Sequence, residues 1–216
     1  MERFRGIFLI AGLAFFGFSF VAMGLIPYLH LRPNANDPDR AFKTAEDLAP
    51  TVLPWFEDLA RRYPQAFDRA FEAGPSIANC ADALREGRDI FIAEGCWHCH
   101  SQFIRPVSNE DLRWGKISYP AEYQNELQMP QLFGTRRVGP DLVRESGLHS
   151  NDWHVVHFRR PRDVSPTSVM PSFPWFVDRL AGALVPNRRG FAIITYVQWL
   201  GSWIETDEEN GRVVRP

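Results

Sequence analysis

An all-α fold is what this sequence predicts: one N-terminal helix able to cross a membrane, then a domain built from helices. Three features carry that expectation. A 22-residue run from Gly6 to Pro27, GIFLIAGLAFFGFSFVAMGLIP, has no charged side chain. Apolar residues recur at helical spacing in two later stretches, around Leu84, Gly87 and Phe91 and around Ile193, Tyr196, Val197 and Leu200. No strand-like alternation of any length interrupts them.

As a helix rising about 1.5 Å per residue, the first run reaches about 33 Å, enough for the ~30 Å hydrocarbon core of a bilayer. A cleavable leader would have a shorter apolar region ending at a small-x-small site, and Met23 spoils the best candidate site. A core helix of a soluble domain would not be apolar on every face. Residues 1–32 therefore read as a retained transmembrane anchor. Arg3 and Arg5 precede it, whereas Arg32, Asp37, Asp39 and Arg40 follow. The excess of basic residues before the span puts Met1 in the cytoplasm and everything after Pro27 outside, which in a bacterium is a periplasmic domain on the inner membrane.

The remaining 184 residues carry 21 basic and 25 acidic side chains, against a net charge of -2 for the whole chain. Such a mildly acidic domain offers nucleic acid no basic face. Residues 33–80 read as a linker and a helical insertion. RPNANDPDR is a tether of turn residues; then come helices at Trp55 to Arg62, stopped by Pro64, and Gln65 to Ala73, closed by Gly74 and Pro75. Phe67, Ala70, Phe71 and Gly74 share one face, either as a core stripe or as a docking surface for a partner subunit.

Residues 81–216 hold the chemistry. ADALREGRDIFIAEG runs into Cys96-Trp97-His98-Cys99-His100, and C-x-x-C-H is the attachment signature of a c-type haem. Two thiols three residues apart can add to the two vinyl groups of one porphyrin, and the adjacent imidazole then serves as proximal iron ligand. A structural zinc site would want a second pair of ligands downstream, and none follows. A thioredoxin-like redox pair would want a βαβ pattern around it. His98 reads as solvent-facing or locally hydrogen-bonded. A sixth iron ligand of the thioether type leaves Met129 and Met170, since Met1 is the start and Met23 lies in the span. Met170 is favoured, because Pro171 and Pro174 hold VMPSFPWF extended. Phe191 to Leu200, capped by Gly201, reads as a closing helix that crosses the one entering the motif.

Four segments in order, GRDIFIAEGCWHCHSQFIRP, RWGKISYPAE, GTRRVGPDL and NDWHVVHFRRPRDVSPTSVMPSFPW, with YVQWLG near the end, resemble the monohaem cytochrome c subunit (subunit II) of the cbb-type, C-family haem-copper cytochrome c oxidases. The likeness spans about Arg85 to Trp175. It implies a cytochrome c-like haem domain on a single anchor, relaying electrons from a multihaem c-type cytochrome subunit to the catalytic haem-copper subunit, with no active site on this chain. It implies one covalent haem on Cys96 and Cys99 and iron ligands His100 and Met170, and Gly139-Pro140-Asp141-Leu142 matches the G-P-x-L turn by which small c-type cytochromes set a backbone carbonyl against the proximal imidazole N–H. Arg105, Arg136 and Arg137 are candidates to neutralise haem propionates or to meet the catalytic subunit; plain surface arginines are the alternative. Asp152, Trp153, His154 and His157 read as hydrogen-bonding residues rather than a metal pair, and Cys80 as a small buried hydrophobe. The 40–80 stretch, Trp114-Gly115 and the residues between Tyr119 and Leu132 depart from the family pattern. Alternatives are a freestanding anchored cytochrome shuttling electrons to other acceptors, a subunit of a nitric oxide reductase-like complex, and a gas sensor, which would require an output domain.

Overall fold

A computed structural model describes residues 2–31, 42–134, 136–206 and 213–215. The tether and its charged residues Arg32, Asp37, Asp39 and Arg40 lie outside them. The chain divides into two units, residues 1–41 and 42–216.

The first unit is helical throughout: α1 (Glu2–Ser19), a wider π-helical stretch (Phe20–Leu25) and α2 (Ile26–Leu31). Within it Phe4–Leu29 is a 26-residue apolar helix of which nothing is buried in the protein. Its length and composition suit a membrane span.

In the second unit α3 (Ala45–Arg62) begins ten residues before the predicted Trp55. Its start is fixed by a capping box, Thr44 Oγ1 accepting from the Asp47 N–H and Asp47 Oδ2 accepting from the Thr44 N–H. Pro50 and Pro54 fall inside this helix. Glu46, Pro50 and Pro54 stand four residues apart on its exposed face, so the carbonyls that lose their intrahelical donor turn to water. That is why these prolines do not break it. The next helix, α4 (Pro64–Ala70), stops three residues short of the predicted Ala73, because Phe71 turns extended. Phe67 and Phe71 are fully buried and pack with Phe56 and Phe191, ring centroids 4.9 to 6.3 Å apart, so the stripe is core.

Ser76 caps α5 (Ile77–Ala93), and Asn187 caps α9 (Arg188–Trp199). These two helices cross at Gly87, where a Cβ would stand 2.2 Å from the Ala192 carbonyl oxygen. Leu84, Gly87 and Phe91 are buried on the crossing face as predicted, but α9 is buried on every side from Gly190 to Trp199. The closing helix is thus the centre of the core, sheathed by α3, α4 and α5. Gly201 follows it at φ +94°.

The predicted absence of strands does not hold. β1 (Val177–Leu180) and β2 (Ala183–Pro186) form an antiparallel hairpin, turning through Ala181 and Gly182, both at positive φ. Residues 205–206 and 213–215 pair as a second, shorter ladder. The fold is mostly helical with few strands.

Candidate functional site

The end of α5 delivers the cysteine motif. Glu94 closes the helix, Gly95 takes φ +70°, and Cys96–Cys99 form one helical turn, α6, after which His100 is extended. A cavity of about 450 Å³ opens here, lined by Cys96, Cys99 and His100 on one side of the sequence and by Val169, Met170, Pro171 and Phe173 on another. Its size and mainly apolar lining are those of a small-molecule or cofactor site. The thiols are not bridged, and burial pushes the Cys96 thiol up to about 12. His98 is exposed and stacks on Trp97 at 3.9 Å.

His100 is held by its second nitrogen. Nδ1 lies 3.0 Å from the Pro140 carbonyl oxygen. A carbonyl only accepts, so Nδ1 carries the proton and Nε2 keeps its lone pair. Burial lowers the ring's pKa, which keeps it neutral. A Cβ at Gly139 would stand 2.3 Å from the ring's Cε1, so that position makes room for the imidazole. The Gly139 N–H donates to the Cys99 carbonyl at 3.0 Å and Leu142 N–H to Ser101 O at 2.9 Å, zipping the turn onto the motif.

Met170 enters from a loop after α8 (Asn151–Arg159). Its N–H donates to Ser168 Oγ at 3.2 Å, and the Phe173 N–H to the Phe158 carbonyl at 2.8 Å, which fastens the loop to α8. Met129, the other candidate, is 43% exposed and does not line the cavity.

A third wall comes from α8 and the residue His149 just before it, and sequence reasoning missed its geometry. His149, Trp153 and His157 stack in a column, 3.8 Å at 22° and then 4.4 Å at 13°, and all three line the cavity. Their four-residue spacing was the available signal. His149 Nδ1 meets Glu145 Oε1 at 2.6 Å. The expected hydrogen bonding holds for Asp152, which accepts from Tyr63 Oη at 2.7 Å and pairs with Arg62. It does not hold for the two histidines: His154 Nε2 and His157 Nδ1 are buried without a partner.

The arginines stand apart from the cavity lining. Arg137 pairs with Asp141 at 2.6 Å and Glu110 at 2.6 Å and donates to the Phe103 carbonyl, its Nε remaining buried and unpartnered. Arg105 also pairs with Glu110, the first residue of the short helix α7 (Glu110–Trp114), and Arg136 is exposed. The reading of Arg137 as a surface side chain fails, since it is only 10% exposed inside this carboxylate pair. Cys80 is fully buried, its thiol pushed up to about 12 by burial. No group of three or more His, Cys, Asp or Glu side chains arranged for a metal ion occurs among the described residues.

A porphyrin suits this donor set: two thiols three residues apart, an imidazole with its Nε2 lone pair free, and a thioether, all on one apolar cavity. A family model described as "Cytochrome C oxidase, mono-heme subunit/FixO" matches residues 81–189, half of the chain. The chain belongs to this family. The FixO match runs from α5 to the start of α9 and takes in every residue lining the cavity. α3 and α4 precede it. No curated protein matches the chain. As a FixO protein it is a subunit of a cytochrome c oxidase, and the family's name gives that subunit one haem.

Proposed function

We propose that this FixO protein is the electron-transfer subunit of a cbb-type oxidase. It relays electrons through one covalently bound c-type haem, from a multihaem c-type cytochrome subunit to the catalytic haem-copper subunit, and carries no active site of its own. The reading that goes with it is a single-pass protein of the bacterial inner membrane, N-terminus in the cytoplasm and residues 42–216 in the periplasm. One observation carries the proposal: Cys96, Cys99, His100 and Met170 line the same cavity.

When bound, the haem supplies a one-electron couple at its iron. The chain does the rest. Cys96 and Cys99 would tether the ring, and the Pro140 carbonyl holds the proton on His100 Nδ1, which leaves the Nε2 lone pair available to iron. The proline-held loop presents the Met170 sulfur. With the His100 imidazole and the Met170 thioether both given to the iron, the bound haem would have no place for oxygen and the subunit would pass electrons without binding substrate. The apolar lining keeps water away and favours the less charged, reduced state. Arg137, with its buried free Nε, is the candidate in this reading to answer a propionate.

The test is to purify the full chain with its complex in mild detergent. Acidified acetone should leave the pigment on the polypeptide, a pyridine-haemochrome spectrum should report a c-type haem, and a polytopic partner with b haem and copper should co-purify. A colourless chain, or pigment that extracts, overturns the covalent reading. Isolation of the chain alone in active form would favour the freestanding shuttle. Met170→Ala should convert the low-spin iron to high spin or to a different ligand.

A further inference from the structure

His157 occupies a position that the fold leaves unexplained. Its Nδ1 is sealed from solvent and has no partner. The ring lines the cavity together with Met170. Orphaned buried N–H groups are rarer than unsatisfied acceptors, so the proton belongs on Nε2, where the cavity can receive it. The ring cannot turn away. It lies on Trp153, which lies on His149, which is tied to buried Glu145. The start of α8 is pinned in turn by Asn151, whose Nδ2 donates to the Trp55 carbonyl at 3.0 Å and to Asp58 at 2.9 Å.

Met170 lines the same cavity, its backbone N–H is engaged with Ser168, and the sulfur is the one polar atom of its side chain. A thioether sulfur is a weak acceptor. We propose that His157 is a positioning residue acting through Met170, its Nε2–H donating to the Met170 sulfur in the haem-loaded protein. This rests on the reading of Met170 as an axial ligand. Donation draws lone-pair density off the sulfur. It therefore weakens the bond to ferric iron more than to ferrous iron and raises the reduction potential.

The experiment compares the haem-loaded complex carrying His157→Phe, which keeps a ring on Trp153 but removes both nitrogens, with His157→Gln, which keeps an N–H donor. The phenylalanine variant should retain a low-spin, covalently held haem, show a lower reduction potential, and bind added imidazole about threefold to tenfold more weakly in the ferric state, the worth of one modest hydrogen bond. The glutamine variant should recover part of both changes. A phenylalanine variant with unaltered potential and imidazole affinity, or a glutamine variant indistinguishable from it, overturns the proposal. Met170→Ala in parallel separates the two readings: if its spectrum stays low-spin, the ligand assignment itself has failed, whatever His157 does.

Discussion

Gly87→Ala tests the core directly. Alanine is favoured over glycine within a helix by about 1 kcal/mol, so propensity alone predicts stabilisation. At the α5–α9 crossing the new Cβ would stand 2.2 Å from the Ala192 carbonyl oxygen and 2.6 Å from the Tyr196 Cβ. The oxygen and carbon it meets are backbone and Cβ atoms, which no rotamer change can move aside. Restoring ordinary contact means separating two helices by about 1 Å along a packed face that includes Phe91 and Tyr196. Overpacking of this kind costs about 3 kcal/mol at the upper end of its usual range. The net loss is about 2 kcal/mol, or about 4–8 °C in Tm for a domain of this size. A thermal melt of the haem-loaded protein followed by circular dichroism measures it. An unchanged or raised Tm would mean that the two helices do not approach as described, and would remove the basis for placing α9 at the centre of the core.

Gly139→Ala should push the His100 ring off the Pro140 carbonyl, since the added carbon meets that ring at 2.3 Å; the expected result is a weakened proximal ligand, read as a lowered haem content and an altered Soret band. Tyr63→Phe removes a 2.7 Å bond to Asp152 and should cost about 1 kcal/mol, a value discounted for partial exposure, with faster amide exchange concentrated in α8. Acid should destabilise the domain before its carboxylates titrate. Burial pushes the His154 pKa down to about 3, so between pH ~6.5 and ~3 the unfolded chain takes up a proton that the folded one refuses, and stability falls as pH falls. His154→Leu should flatten that slope in denaturant titrations. Glu46, held at about 2 chiefly by its hydrogen bonds from Arg85, acts in the same direction at lower pH, and its contribution is lost as pH falls through that value.

Features written in local sequence were legible. The apolar run, the cysteine motif and the faces of α5 and α9 each need only a window of a few turns. The prolines at 171 and 174 set Met170 apart from Met129, and of the two it is Met170 that lines the cavity. What escaped depends on distant partners. α3 starts ten residues before the expected Trp55 and holds Pro50 and Pro54, which its solvent-facing side tolerates and no local window shows. Glu110 meets Arg137 across 27 residues, and no periodicity announces such a pair. The hairpin turns through Ala181 and Gly182, a weak signal beside Asn-Gly. The His149–Trp153–His157 column was visible as a spacing, but its stacking depends on how α8 packs.

The rings that cover Phe191 come from residues 63, 67 and 71, upstream of the stretch shared with the family. A truncation beginning at Ala81 would cut into α5 and strip those rings away, leaving the middle of the molecule open to water and prone to self-association. The smallest piece fit for independent production therefore begins near Phe42, ahead of both helices that shield this aromatic position.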